Sequence, residues 1–131
     1  MAEPARKNKV SRELLVAVID DDGPFRTALV ESLGSLGYAA REFLSAEQFV
    51  AEDGEKSCDC VITDIHMPGM SGFDLARLLT SRRRKTPIIM VTARAEPGLE
   101  AKAAGAGAVC LLIKPFDSNA LVDCLDKALR T

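Results

Sequence analysis

Short runs of apolar residues alternate along the chain with longer segments in which apolar positions recur at helical spacing. Three runs, at residues 14–19, 88–91 and 109–113, are apolar throughout, which is typical of strands covered on both faces of a parallel sheet. The other two predicted strands are residues 39–43 and 60–63. The pattern therefore predicts five strands that alternate with five helices.

The predicted helices have recognisable ends. Pro24 lies in the first turn of the first helix, which ends near Gly37, and residues 45–48 (Ser-Ala-Glu-Gln) fit a capping box for the second. The other three are predicted from the cap Ser71 to Arg82, from Pro97 to Gly105, and over residues 119–129 with Asp117 or Ser118 as the cap. This order predicts an α/β fold, a doubly wound (βα)₅ parallel sheet of the flavodoxin-like type with strand order 2-1-3-4-5.

The size and charge of the chain suit a single domain. Its 131 residues, 47% of them hydrophobic, can bury one core. Residues 1–12 are polar and aperiodic, so we expect a flexible N-terminal extension followed by a domain over residues 13–131. With 17 basic and 19 acidic side chains, the balance does not favour nucleic acid or a membrane as a partner. No apolar stretch approaches 18 residues and no signal peptide is evident, so we expect a cytoplasmic protein.

The four cysteines form no Cys-x-x-Cys pair. Cys58 and Cys60 could in principle bind a soft metal, but a Cys-x-Cys with one distant histidine lacks the ligand spacing of a tetrahedral zinc site. In a cytoplasmic protein we expect all four thiols, including Cys110 and Cys124, to be reduced.

Polar side chains follow four of the predicted strands where each strand ends. They are, in chain order, Asp20, Asp21, Asp22, Asp64, Thr92 and Lys114. The carboxyl ends of strands in an open parallel sheet lie along one edge, so these side chains should converge there. Crowded carboxylates repel one another unless a cation is bound, and hard oxygen ligands suit Mg²⁺, which leaves positions for water and phosphate oxygens.

Each member of this set has its own chemistry. Asp64 is the carboxylate suited to act as a nucleophile. Lys114 can balance the carboxylates and later the phosphoryl oxygens, and the Thr92 hydroxyl can donate to one of those oxygens. A polar residue after a strand also often caps the next helix, and for Asp22 this structural role is the favoured interpretation.

Four segments of the chain resemble the receiver domain of two-component response regulators, and the resemblance extends over residues 14–129. The segments are Val-Ile-Asp-Asp-Asp at 18–22 with Arg26 after it, Thr-Asp-Ile-His-Met-Pro-Gly-Met-Ser-Gly at 63–72, Val-Thr-Ala at 91–93 and Lys-Pro-Phe at 114–116. The sequence around Asp64 and at residues 105–116 is most similar to receivers of the nitrogen-fixation regulator type, which often precede a DNA-binding domain.

The resemblance implies a function in phosphorelay signalling. Asp64 would take a phosphoryl group from a phosphohistidine on a sensor histidine kinase or histidine phosphotransfer protein. The phosphorylated chain would then bind a downstream protein target differently, or form a homodimer. Such a domain is not an enzyme in its own right, because it assists only its own phosphorylation and dephosphorylation.

The resemblance also implies the roles of the site residues. Asp21 and Asp64 would ligate Mg²⁺ together with the backbone carbonyl of His66, and Asp20 would act through water. Lys114 would bridge to the phosphoryl group and Thr92 would swing toward it; the bond from Lys114 to the following proline would be cis.

One residue departs from the family pattern, and the roles of two others remain open. Leu111 stands where many receivers carry a Tyr or Phe that changes rotamer on activation, which puts the usual route of transmission in doubt. His66 and Arg94 lie at positions that in this family influence the lifetime of the phosphoryl group. For His66 a solvated loop side chain is favoured over a role in hydrolysis or pH sensing.

Three alternatives bear on function. The basic run at residues 82–85 could contact nucleic acid, but cations are favoured at a helix C-terminus and that interpretation is preferred. The chain could be the receiver portion of a DNA-binding transcription regulator whose helix-turn-helix domain lies outside it. A phosphatase of the haloacid-dehalogenase type would need a second Asp two residues after Asp64, where this chain has His66.

Overall fold

Five parallel strands form a single sheet in a computed structural model that describes residues 14–129. The strands are β1 (Leu15–Ile19), β2 (Ala39–Phe43), β3 (Cys60–Asp64), β4 (Ile88–Thr92) and β5 (Cys110–Ile113). The helices are α1 (Gly23–Ser35), α2 (Ala46–Ala51), α3 (Gly72–Ser81), α4 (Leu99–Gly105) and α5 (Ser118–Leu129), with a 3₁₀ turn at Gly54–Lys56. The sheet order is β2-β1-β3-β4-β5, which confirms the predicted flavodoxin-like topology. The extension predicted for residues 1–12 lies outside the described residues.

Two apolar cores lie on the two faces of the sheet. On β1, Val16 and Val18 face a core shared with α1 and α5, while Ala17 and Ile19 face a core shared with α2, α3 and α4. The same alternation continues through β3 and β4, so both faces of these strands are buried. This explains why β1 and residues 88–91 of β4 are apolar throughout. The expectation that the third such run, in β5, is covered on both faces was wrong, because β5 is the edge strand of the sheet and is only partly buried.

The register of the sheet aligns the ends of the strands that carry polar residues. Ile19 of β1 pairs with Thr63 of β3, and Thr92 of β4 pairs with Ile113 of β5. The residue after each of these positions therefore lies on the same edge of the sheet. This edge holds the candidate site.

Most predicted helix caps are present. The Asp22 side chain accepts a hydrogen bond from the backbone of Phe25, which confirms Asp22 as the N-cap of α1. Ser71 forms a complete capping box at α3, and Asp117 accepts from the Ala120 N–H at the start of α5.

The predicted box at α2 is only half formed. Ser45 accepts from the Gln48 N–H at 3.0 Å, but the Gln48 side chain accepts from Leu44 N at 2.7 Å and not from Ser45. Ser45 is therefore the N-cap of α2, and the Gln48 side chain binds the backbone one residue before the cap.

The predicted start of α4 was wrong by two residues. Pro97 lies in a turn closed by a hydrogen bond from Leu99 N to Glu96 O, and α4 begins only at Leu99. Gly98 has φ +80° and ψ −4°, the values of the third residue of a type II turn, whose second position favours proline. Proline and glycine here build a turn before the helix and not its first residues.

The expectation of four reduced thiols was also wrong. Cys110 and Cys124 form a disulfide, because the packing of α5 against β5 brings their Cα atoms to 5.8 Å although they are 14 residues apart. Cys58 and Cys60 are free, and burial raises the pKa of the Cys58 thiol to about 11 and that of Cys60 to about 12. Within residues 14–129 no helix is long and apolar enough to cross a membrane.

Candidate functional site

Three carboxylates meet at the carboxyl edge of the sheet. Asp20 and Asp64 are buried and Asp21 is exposed, and one oxygen of each lies within 4.8 Å of an oxygen of the other two. They are the only cluster of three or more potential metal ligands in the part of the chain that the structure describes. The structure therefore brings together the predicted acidic residues and leaves one of them open to solvent.

The backbone and side chain of Asp20 are both fixed by neighbours. Its Oδ1 accepts from Asp22 N at 3.0 Å, and its backbone carbonyl accepts from Arg26 Nη1 at 2.6 Å. The N–H of Asp20 donates to Phe43 O on β2. These bonds hold the loop after β1, so Asp20 and Asp21 are presented in a defined arrangement before any ligand binds.

Lys114 is the cationic partner of the acidic cluster. Its Nζ lies 2.9 Å from Asp20 Oδ2, and its side chain is only 13% exposed. The same ammonium lies 3.9 Å from the centroid of the Phe25 ring, which stabilises a desolvated cation. The Lys114 N–H donates to Thr92 O at 2.8 Å, and the bond to Pro115 is cis as the resemblance implied.

The Asp64 carboxyl has a raised pKa. Burial is the largest cause, followed by the negative charge of Asp20, and Lys114 opposes both; Asp21 adds a smaller repulsion. The net effect raises the pKa of Asp64 from its ordinary 3.8 to about 6. Without a cation the site therefore binds a proton at Asp64 more readily than a free carboxylate does.

The donor set fits Mg²⁺. All side-chain ligands offered by Asp20, Asp21 and Asp64 are hard carboxylate oxygens, and the single nearby lysine neutralises only one of the three charges. The exposure of Asp21 leaves a side of the cluster open for water and for phosphate oxygens. These features match a cation that retains several solvent ligands.

Thr92 is at the predicted position but faces a different partner. Its buried hydroxyl accepts from Arg94 N at 3.1 Å and donates to Arg94 O at 3.2 Å. The structure therefore places this hydroxyl on the backbone of the loop after β4, not on the carboxylates. To donate to a phosphoryl oxygen, this hydroxyl has to give up only the bond that it donates to Arg94 O, because it carries a single hydrogen.

The loop after β3 carries His66 and packs closely on the site. The His66 side chain is exposed, as the favoured interpretation predicted, whereas Met67 beside it is buried. Gly72 donates to Ile65 O, and a Cβ atom on Gly72 would lie 2.6 Å from the Asp64 carbonyl. Glycine at this position therefore lets α3 start directly against the backbone of Asp64.

Glu47 was not among the predicted site residues, but it holds the loop after β3. Glu47, in the first turn of α2, accepts from Met70 N at 2.7 Å and so ties the loop after β3 to a second helix. Gly69 has φ +77° and lies so close to the Glu47 carboxylate that a side chain there would collide with it. No local pattern could have shown this contact, since the two partners are 23 residues apart.

Leu111 lies in β5 with its side chain half-buried. It packs against the core that β5 shares with α2, α3 and α4. The position of the usual aromatic side chain is thus filled by an aliphatic one that belongs to the core.

Comparisons with known proteins agree with this geometry. The family model of the response regulator receiver domain matches residues 16–126. The response regulator protein TmoT of Ectopseudomonas mendocina is 32% identical over 95% of this chain and 57% of its own length. The transcriptional regulatory protein FixJ of Bradyrhizobium diazoefficiens is 32% identical over 88% of this chain and 56% of its own. The chain therefore spans about half the length of these relatives.

Solved structures show the same fold. A crystal structure of FixJ-N superposes with a TM-score of 0.82 at 30% identity, over 90% of this chain and 94% of that one. The response regulator StyR gives a TM-score of 0.81 at 34% identity, over 88% of this chain and 59% of that one.

Proposed function

Because this chain belongs to the response regulator receiver domain family, we propose that it accepts a phosphoryl group on Asp64 in a Mg²⁺-dependent reaction. The observation that carries the proposal is the convergence of Asp20, Asp21 and Asp64 with Lys114 at one edge of the sheet. The donor would be a phosphohistidine of a sensor histidine kinase or a histidine phosphotransfer protein.

Phosphoryl transfer requires the protein mainly to position the reacting groups and to neutralise the charge on the phosphoryl oxygens. An oxygen of Asp64 attacks phosphorus in line with the bond to the histidine nitrogen; that P–N bond breaks and the imidazole takes up the electron pair and a proton. Asp21, Asp64 and the His66 carbonyl would hold Mg²⁺ directly and Asp20 would hold it through water, and the ion would neutralise the acids and the phosphoryl oxygens. Attack requires Asp64 to be ionised, which its raised pKa still permits at neutral pH.

Lys114 and Thr92 are the residues that would move when a phosphoryl group is attached to Asp64. Lys114 Nζ already lies beside the carboxylates, so a small movement away from Asp20 brings it to a phosphoryl oxygen. Thr92 would exchange the bond that it donates to Arg94 O for a bond to a second phosphoryl oxygen, and the Arg94 N–H that donates to the hydroxyl would draw the loop after β4 with it. In this proposal the chain is a phosphoryl acceptor and not a turnover enzyme, and its phosphorylated form binds a protein target differently.

We place this function in the cytoplasm. Phosphohistidine donors are made from ATP, and small donors such as acetyl phosphate are cytoplasmic metabolites. The absence of a membrane-spanning helix among residues 14–129 is compatible with that location.

The test is phosphorylation by acetyl phosphate in the presence of Mg²⁺, followed by intact-mass spectrometry. We expect one added phosphate that is lost on mild alkaline treatment, and none with Asp64→Asn. Asp22→Asn is the matched control, because Asn also caps helices well and Asp22 lies outside the acidic cluster. Labelling that survives Asp64→Asn would refute the proposal.

A second function is favoured by the lengths of the relatives. FixJ and TdiR are named transcriptional regulatory proteins, and the chain spans 56% and 53% of them. We infer that the same receiver can be one portion of a DNA-binding regulator whose helix-turn-helix domain lies outside this chain. Sequencing the gene beyond codon 131 tests this directly: a stop codon there contradicts it, and a downstream helix-turn-helix supports it.

A further inference from the structure

One covalent feature of the fold has no part in phosphorylation. The disulfide joins Cys110, the first residue of β5, to Cys124 in the middle of α5. Its two ends differ in exposure: Cys124 is 3% exposed within the core shared with α1, and Cys110 is half-buried. The Cys124 end of the link is thus enclosed, and the Cys110 end is the less buried one.

A surface groove leads to the accessible end of the bond. The groove has a volume of about 290 Å³ and is lined by residues of α4, β5 and α5, among them Cys110 and Leu111. Alanines at 103, 104 and 108 and the cationic Lys127 also line it. A positive potential in such a groove favours the thiolate form of a cysteine, which is the reactive form in thiol–disulfide exchange.

The other two cysteines lack these properties. Cys60 is fully buried in the core shared with α1 and α5, and the half-buried Cys58 packs against the core on the other face of the sheet. Burial raises the pKa of both thiols, so neither forms a thiolate readily. The fold therefore separates a bonded pair that reaches a surface groove through Cys110 from two thiols whose raised pKa keeps them protonated.

We propose that Cys110 and Cys124 form a reversible thiol–disulfide exchange site whose co-reactants are the disulfide and the thiol of a small molecule of the glutathione class. In the oxidising direction the Cys110 thiolate attacks glutathione disulfide, forms a mixed disulfide and releases one glutathione. The Cys124 thiolate then attacks the Cys110 sulfur, closes the internal bond and releases the second glutathione. Two electrons pass from the protein to glutathione disulfide, and the two thiol protons end on the two glutathiones.

The bond changes how α5 is held. When the thiols are reduced, α5 is attached to β5 by the packing of apolar side chains such as Leu121 and Leu125. When they are oxidised, a covalent link fixes the helix to the strand that leads directly to Lys114. In a compartment whose glutathione pool keeps thiols reduced, this link would form only when conditions become oxidising. The pair would therefore respond to a change in the redox state of the compartment.

The experiment uses the purified chain, first reduced and then equilibrated in buffers of increasing ratio of glutathione disulfide to glutathione. The samples are quenched in acid, unfolded, alkylated and examined by intact mass and peptide mapping. We expect two of the four thiols to be lost together and to map to Cys110 and Cys124. The thermal midpoint of the oxidised chain should lie on the order of 10 °C above that of the reduced chain, because the bond closes a loop of about 14 residues.

Single-cysteine variants test which cysteine acts in each of the two steps. Cys124→Ala should stop at a mixed disulfide of glutathione on Cys110, and Cys110→Ala should take up no glutathione while folded. Cys58→Ala is the control and should keep the complete transition. The proposal is overturned if folded wild-type chain forms no internal bond at any glutathione ratio, or if Cys58 or Cys60 is oxidised equally.

The outcome does not depend on phosphorylation, although the consequence for signalling rests on the proposed function. Asp64→Asn should show the same redox transition as wild type. If acetyl phosphate fails to label the chain while the transition persists, only the proposed phosphoryl acceptance fails.

Discussion

At the scale of single residues, Asp64 combines two opposed requirements. It must be close enough to Asp20 and Asp21 to share a cation, and that closeness, together with burial, destabilises its ionised form in the cation-free protein. Lys114 relieves part of the repulsion but is already engaged by Asp20. The site is therefore electrostatically unbalanced until a cation binds, and two predictions follow from this.

The first prediction concerns Mg²⁺ affinity and pH. A proton and Mg²⁺ compete for Asp64, whose pKa is raised to about 6. The dissociation constant for Mg²⁺ should therefore be about tenfold larger at pH 5 than at pH 8, whereas a carboxylate with an ordinary pKa would give almost no change. Titration followed by NMR or calorimetry measures it. Equal affinities at the two pH values would contradict the assigned cause.

The second prediction concerns stability without Mg²⁺. Because the folded-state pKa of Asp64 lies above its ordinary value of 3.8, protonation favours the folded chain. This contribution is complete below about pH 3.8 and is lost as the pH rises through 6. Asp64→Asn, which is neutral at every pH, should be more stable than wild type at pH 7.5 by about 1 to 2 kcal/mol. Denaturant unfolding in EDTA checks this, and the advantage should shrink toward pH 4.

At the scale of secondary-structure elements, the loop between β3 and α3 is held from both sides. Gly72 packs against the backbone of Asp64 at one end, and Glu47 of α2 binds the Met70 N–H at the other. Along the chain His66, whose carbonyl is a predicted Mg²⁺ ligand, lies between Asp64, which Gly72 contacts, and Met70, which Glu47 binds. The position of a ligand atom thus depends on a helix that contributes no ligand.

The third prediction tests this anchoring role of Glu47. Glu47→Ala should weaken Mg²⁺ binding about three- to tenfold, because the loop loses a charge-assisted hydrogen bond. The rate of phosphorylation at saturating Mg²⁺ should change little, and Glu47→Gln should restore part of the affinity. Glu52→Ala, on the same side of the sheet but bonded to Arg41, is the control and should bind Mg²⁺ like wild type. Equal weakening in both variants would assign the effect to general destabilisation.

At the scale of the whole molecule, the two ends of the sheet differ in what they contribute. The carboxyl ends of the strands carry the acidic site, and at the amino ends the 3₁₀ turn contacts the end of α3. There the buried Glu55 accepts from Arg82 Nη1 at 3.1 Å. Arg82 belongs to the basic run predicted as a helix end, so one of these cations has an identified structural partner.

The fourth prediction separates these contributions. Arg82→Ala leaves the buried Glu55 carboxylate without its cation and should lower the free energy of unfolding by about 1 to 2 kcal/mol, since Arg82 itself is partly exposed. Phosphorylation by acetyl phosphate should not change, because the site is at the other end of the sheet. Arg84→Ala, an exposed neighbour, should leave stability within about 0.5 kcal/mol of wild type. Chemical denaturation and mass spectrometry measure the two effects.

A feature could be predicted from the sequence where the residues that define it lie close together along the chain. Asp22 and Ser71 were identified as caps because their partners lie three residues away, and β1 and β4 were found because burial on both faces leaves a continuous apolar run. Pro97 misled because proline suits both a first helical turn and a type II turn, and only the φ of Gly98 distinguishes them.

The order of elements and the meeting of Asp20, Asp21, Asp64 and Lys114 at one edge could be predicted from the amino-acid pattern, because strand order and chain direction fix where each strand ends. The contacts across long separations were seen only in the folded chain: Glu47 with Met70, Glu55 with Arg82, and Cys110 with Cys124. The tertiary structure also decided that Thr92 bonds to its own loop. Such contacts depend on the distance between packed helices and on side-chain rotamers, which no periodic pattern along the chain records.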